Sequence, residues 1–434
     1  MATFSMELLS ERNTIRIAWP QTLPLPTHKV NHQSETRCFH LWSGPPGLSI
    51  HKYACVGQVR LDTQEYLAAV VEANGRSRHD DAFAIILAAE HPQLSLLGIS
   101  TIHGNASLDR VTENAIRVLT AIGRTDIPVY PGVRKPYMRP SVHAPGIHGQ
   151  YQPAPSSYGF HLNDRRIGES GIDGTNLLPE PVVAFQAGNA IRAMHEAIMA
   201  TPYQTCVIVA TGALTNVALL LAAFPEVADH VKEVSIMGGS FTEGNITKHA
   251  EFNIYADPES ANSIFSNHTL SGRITLIPLD LTHQVLATST VLEALLNPKN
   301  HIHPEGTILR DGTTALRRML HDLLCFFAST YAKVFNITEG PPLHDPLAVA
   351  AILPPSNPIE QEPTTTQGGI RWEWEHVKVL VDTHGVEVGR TLKHVPKQGE
   401  AVVRIATRVD VPRFWEVLLG MVNTIDVRGG VQWI

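Results

Sequence analysis

Short polar clusters in this chain carry the residue types that can do chemistry. They are His79-Asp80-Asp81, Asn105, Thr211, Asn245 with Glu251 and Asn253, Asp280, and His344-Asp345. All fall where an apolar strand-like run ends or a helical run begins, and open α/β sheets bind their ligands at such junctions. The set is rich in carboxylate and amide oxygens. It holds no GxxxxGK[ST] and no GxGxxG after a strand, so nucleotide phosphates and NAD are not favoured. Oxygen donors of this kind suit a hard cation such as calcium or magnesium. Singly, each residue also has an ordinary structural use. Asp80 and Asp81 can stabilise a helix N-terminus, Asp345-Pro346 reads as a helix start, and Asn105 after Gly104 can serve a turn. Asp257-Pro258 is read as a helix cap outright.

The elements that must position these residues alternate in character. Helices are predicted over 82–91, 108–124, 189–200, 213–224, 258–265 and about 312–335, and strands over 94–101, 127–130, 205–210, 233–239 and 274–280. Apolar strands alternating with helices predict an α/β fold, a mostly parallel open sheet with helices on both faces and a Rossmann-like core. VKVLVDT, GVEVGRT and AVVRIATRVD predict antiparallel strands near the C-terminus, and 412–422 a closing helix. Residues 1–58 carry scattered prolines without periodicity and read as a poorly ordered extension to a domain spanning 59–434. Two stretches break the rhythm as irregular inserts, 64–78 and 150–168.

Composition narrows the partners. The 434 residues are 43 % hydrophobic and 17 % charged, with a net charge of −7. That is an ordinary globular balance, and with no basic run it disfavours nucleic acid and anionic membrane surfaces. No apolar run approaches the roughly 20 residues of a membrane helix. Cys38, Cys55, Cys206 and Cys325 are dispersed, which predicts a reduced protein rather than a disulfide scaffold or zinc module, with the cytoplasm as the expected location.

Taken together the segments resemble the inosine-uridine preferring nucleoside hydrolase family. The matching strings are HDDAFAIILAAEHPQLSLLGISTIHGN (79–105), GRTDIPVYPG (123–132), GIHG (146–149), ESGIDG (169–174), VATGALTNVALLL (209–221), VKEVSIMGGSFTEGNIT (231–247), AEFNIYADPESA (250–261), LDLTHQVLAT (279–288) and LHDPLAVA (343–350). The resemblance covers about 79–425 apart from 150–168. It implies the nucleoside hydrolase fold, and hydrolysis of ribonucleosides to ribose and free base with one calcium ion in the pocket. By matched motif it makes Asp81 and Asp345 carboxylate ligands of the ion and offers the Thr211 carbonyl as a third. Asp80 would bind ribose hydroxyls, and Asn105, Asn245, Glu251 and Asn253 would hold the ribose, with Met237 lining the pocket. His148 and His344 would sit near the base, and Asp81, His344 and Asp345 would carry catalysis. A dimer or tetramer is the family's common assembly. Glycosidic cleavage passes through an oxocarbenium-like ribose, so surrounding oxygens stabilise the charge as it develops.

The family's opening motif, D-x-D-P-G-x-D-D, is only partly present. Its end survives as His79-Asp80-Asp81, and the position of its second aspartate, a metal ligand and proposed base, reads Arg76. Arginine is a permanent cation and cannot coordinate a metal ion. Upstream, VRLDT (59–63) resembles the first strand. The alternative reading is therefore a catalytically impaired ribonucleoside-binding protein of the same fold. A phosphate-using phosphorylase is disfavoured, because no basic cluster stands at these junctions.

Overall fold

A computed structural model describes residues 67–73, 79–104, 106–142, 177–298, 314–354 and 364–428. All belong to the unit Thr63–Ile434. The expected extension 1–58 and the stretch 150–168 lie outside the described residues, as do Arg76, Asn105 and His148.

In chain order the elements are β1 (Leu67–Ala73), α1 (His79–Glu90), β2 (Leu94–Thr101), α2 (Leu108–Ala121), β3 (Val129–Pro131), α3 (Ala190–Met199), β4 (Cys206–Ala210), α4 (Thr215–Ala223), α5 (Glu226–His230) and β5 (Glu233–Met237). They continue with α6 (Phe252–Ala256), α7 (Pro258–Phe265), β6 (Ile274–Ile277), α8 (Leu279–Thr282), α9 (Ser289–Leu296), α10 (Ala315–Phe335) and α11 (Asp345–Ala350). The last are β7 (Thr364–Gln367), β8 (Ile370–Val381), β9 (Thr391–His394), β10 (Val403–Val409) and α12 (Val411–Val427). The sheet runs β3-β2-β1-β4-β5-β6-β10-β8-β7, with β9 paired to β8. Neighbours from β3 to β10 run parallel, and β8 pairs antiparallel with β10, β7 and β9. The predicted α/β architecture is thus the observed one.

Strand β4 shows why such runs are apolar throughout. Val207 and Val209 join one core cluster, with α1, α10, α11 and α12, while Cys206, Ile208 and Ala210 join a second, with α3, α4 and α7. Both faces are covered, so a period of two produces no polar alternation. Burial also pushes the Cys206 thiol up to about 12.

Several expectations are corrected. The stretch 59–63 lies outside the described residues, and the first described strand is Leu67–Ala73, so seven of the residues read as an irregular insert form an inner strand of the sheet. It is held by Ala69↔Val207 and Val71↔Val209 on one side and Val71↔Ile99 on the other. The strand predicted over 274–280 stops at Ile277, because Pro278 has no N–H for the ladder, and α8 starts directly after it. GVEVGRT (385–391) is mostly turn: Gly385 (φ +79°) and Gly389 (φ +84°) adopt left-handed backbone, and the strand begins only at Thr391.

The topology places a crevice. From β1 the chain builds outward to β2 and β3, then returns to β4 on the other side of β1. The strand order reverses between β1 and β4, and their carboxyl ends form the switch point where ligands bind in this architecture.

Candidate active site

Two carboxylates enter the crevice from the first turn of α1. Asp80 is fully buried and Asp81 is buried beside it. The Thr211 hydroxyl, just beyond β4, donates to Asp81 Oδ1 at 3.3 Å. Among the described residues, neither oxygen of Asp80 has a hydrogen-bond partner. A buried ionised carboxylate without a partner costs several kcal/mol, offset only in part by the helix N-terminus. Such a group is matched to something that enters from outside, either a cation or hydroxyl donors.

Asn253 ties the ends of β4 and β5 together. Its amide nitrogen donates to the Thr211 and Met237 carbonyls, both at 3.1 Å, and lies 3.4 Å from Met237 Sδ. The sequence puts Asn253 on α6, whose N-cap is Glu251. Glu251 Oε1 accepts from Asn253 N–H at 2.8 Å, and Oε2 accepts from Ile254 N–H at 3.1 Å and Gly239 N–H at 2.9 Å. Asn245 Oδ1 accepts from Phe252 N–H at 2.8 Å. The loop bearing these residues is strapped from the C-terminal part of the chain. Thr391 Oγ1 donates to the Ser240 carbonyl at 2.6 Å and accepts from Ser240 N–H at 3.0 Å. Gly239 (φ +76°) packs beneath the same threonine.

Asp345 opens α11, with Pro346 in its first turn, and both are buried. Helix α11 packs on α1, β4, β5 and β6. His344 precedes it with no exposed surface. Its Nδ1 lies 2.6 Å from the Thr282 hydroxyl of α8, and its Nε2 lies 2.8 Å from the Tyr331 hydroxyl of α10. Both ring nitrogens are engaged, so the imidazole orientation is set.

The structure therefore links Asp81, Thr211, Met237, Asn245, Glu251 and Asn253 through one continuous set of contacts around the ends of β4 and β5. It puts Asp80 at their edge and His344-Asp345 on the helix that packs against α1. Asn105 and His148 lie outside the described residues. Asp280 serves otherwise: its carboxylate accepts from Phe241 N–H at 2.8 Å and the Thr242 hydroxyl at 2.6 Å, holding the loop rather than entering the crevice. Thr282 and Tyr331 were not legible as site residues, because each acts only through His344.

The oxygen-only donors fit a hard cation in kind, and the unpartnered Asp80 carboxylate fits one in charge. Among the described residues no three His, Cys, Asp or Glu side chains gather closely enough to hold a metal ion. No helix of the described residues is long and apolar enough to cross a membrane.

Comparison with known proteins agrees with this geometry. A profile of the inosine-uridine preferring nucleoside hydrolases matches residues 75–416. The chain is 33 % identical over 360 residues to the uridine nucleosidase of Saccharomyces cerevisiae, covering 80 % of this chain and 94 % of that one. It is 32 % identical over 349 residues to the inosine-uridine preferring nucleoside hydrolase of Leishmania major, covering 80 % and 95 %. The solved purine-preferring ribonucleoside hydrolase from Gardnerella vaginalis superposes with a TM-score of 0.64 at 25 % identity, over 83 % of this chain and 99 % of that one. A crevice of buried carboxylates and amides at the switch point of this sheet, and a match running through nearly all of it, place the chain in the inosine-uridine preferring nucleoside hydrolase family, whose members hydrolyse the N-glycosidic bond of ribonucleosides.

Proposed function

We propose that the crevice seats the ribose of a nucleoside of the uridine or inosine type, with calcium as the metal ion. The observation that carries this reading is Asp80, a fully buried carboxylate at the switch point whose oxygens have no hydrogen-bond partner among the described residues. Ribose hydroxyls are donors that would satisfy it. Asp81, Asp345 and the Thr211 carbonyl would hold the ion, which when bound lowers the pKa of a water and fixes its approach.

The chain's own residues supply the rest. Asp80 accepts hydrogen bonds from the ribose hydroxyls, and Asn105, Asn245, Glu251 and Asn253 hold the remaining sugar oxygens, with Met237 against the ring. As the glycosidic bond lengthens, positive charge develops on the ribose, and the Asp80 and Asp81 carboxylates stabilise it. Asp81, oriented by the Thr211 hydroxyl, takes the proton of the attacking water. The matched motifs assign His344, whose ring is fixed by Thr282 and Tyr331, and His148 to the neighbourhood of the departing base. A site built on hydroxyl recognition rejects a 2′-deoxynucleoside, because its own polar groups are left unpaired.

The test is ribose release from uridine and inosine, with calcium and after chelation, beside Asp345→Ala. Release that exceeds the variant and depends on calcium is expected. Absence of any reducing sugar above that control overturns the catalytic reading. One observation favours the alternative of a silent ribonucleoside-binding protein: Arg76 stands where the family has a carboxylate. Thermal stabilisation by ribose without turnover distinguishes it.

A further inference from the structure

Asp257 does more than cap a helix. Its Oδ1 accepts from Ser260 N–H at 3.1 Å, the expected N-cap of α7. Its Oδ2 accepts from the Thr215 hydroxyl at 2.6 Å and from Tyr137 N–H at 2.9 Å. The Thr215 oxygen in turn lies 3.0 Å from Nε2 of His103. All three side chains are buried. Thr215 has one hydroxyl proton and gives it to Asp257, so it accepts from His103, and Nε2 carries hydrogen. The direction of the chain is therefore set, from imidazole to hydroxyl to carboxylate.

The neighbouring residue grips the same segment. Asn216 Nδ2 donates to the Thr101 carbonyl at 3.1 Å, and its Oδ1 accepts from Val133 N–H at 3.0 Å. A side chain at Gly132 would overlap this amide, with a Cβ only 2.2 Å from Asn216 Nδ2. The first two residues of α4 thus clamp the chain where it leaves β2, one on the backbone of Thr101 and one on the ring of His103. Two positions beyond His103 stands Asn105.

We infer that Asp257, Thr215 and His103 form a positioning relay that fixes the exit of β2 over residues 101–104, the segment that leads in sequence to Asn105. This rests on the ribose-binding role proposed for Asn105. The relay touches neither the base nor the reacting bond, so its three members are positioning residues. Its loss should affect every ribonucleoside alike, whichever base it carries.

The experiment compares Thr215→Val with Thr215→Ser in the full chain, by amide hydrogen exchange over 101–104 and by kinetics with uridine and inosine. Breaking one buried hydrogen-bonded link should speed exchange about tenfold in the valine variant and lower kcat/KM about tenfold. The same factor is expected for both nucleosides, and the inhibition constant of free ribose should rise with it. The serine variant keeps the hydroxyl and should stay within about twofold of the parent. Unchanged exchange and kinetics in Thr215→Val, failure of serine to restore them, or a loss that differs between the two bases overturns the relay. Should the valine variant not fold, His103→Leu against His103→Gln, which retains an N–H donor, gives the same contrast. If the parent protein releases no ribose, the functional reading falls, and the exchange difference then decides the relay on its own.

Discussion

Asp80→Asn should stabilise the ligand-free protein while disabling it. The Asp80 carboxylate has no exposed surface and no hydrogen-bond partner among the described residues. An unpaired buried ion carries a penalty of several kcal/mol. The α1 N-terminus gives back about 0.3–1 kcal/mol, up to roughly 2 in buried geometry. Asparagine keeps the shape and removes the charge, but its buried amide costs about 1–3 kcal/mol if unsatisfied. The balance favours the variant by about 1–3 kcal/mol, a rise in Tm of a few degrees for a chain of this size. Charge stabilisation of the developing ribose cation is lost at the same time, and kcat should fall by about 10²–10³. Thermal denaturation with chelator, then with calcium and ribose, reads the first effect, and ribose release reads the second. Both proteins should gain stability from calcium, but the further gain from ribose should be smaller in Asp80→Asn than in the parent. A variant less stable than the parent without ligand, or one with parental turnover, refutes the assignment of Asp80 as a carboxylate held in readiness for a ligand.

Other perturbations have defined outcomes. Burial lowers the His91 imidazole to about 4, and its Nδ1 accepts from Gln93 N–H at 3.3 Å, so the fold keeps the ring neutral. The unfolded chain binds a proton below about 6.5 and the folded chain does not until about 4, so stability is lost as pH falls through that window, by about 1–3 kcal/mol. Denaturant titrations at pH 7 and pH 4 should show His91→Gln losing that much less than the parent. Tyr331→Phe releases Nε2 of His344 and should lower kcat about tenfold with little change in KM, measured with inosine. A riboside with a nitrophenolate leaving group, which needs no protonation, should be hardly affected. Asn253→Ala strands the Thr211 and Met237 carbonyls and should cost about 2–4 kcal/mol in urea denaturation, along with ribose affinity.

The sequence disclosed most where the signal is local. CVIVA is apolar at every position because both faces are covered, and Asp257-Pro258 is a helix start in any context. The crevice was legible because Asp80 and Asp81 begin a helical run and Thr211 follows a strand-like one. The inner strand β1 was not. LAAVVEA has no alternation, and its partners β2 and β4 are what make it a strand. The second oxygen of Asp257 was equally hidden, since Thr215 and Tyr137 are 42 and 120 residues away in the chain. His344 was singled out by its motif, but only the fold reveals that Thr282 and Tyr331 fix its ring.

The strap from Thr391 to Ser240 has a consequence for biosynthesis. The acidic and amide groups proposed for the pocket are all translated by residue 345, and the parallel strands that carry them by residue 277. The loop holding Asn245 and Glu251, already held by Asp280, gains its second fastening only when residue 391 is present. A nascent chain halted after α11 would hold every acidic group of the pocket with that loop fastened at Asp280 alone and not at Thr391. A C-terminal truncation that removes Thr391 should therefore weaken binding while strands β1 to β6 still pair.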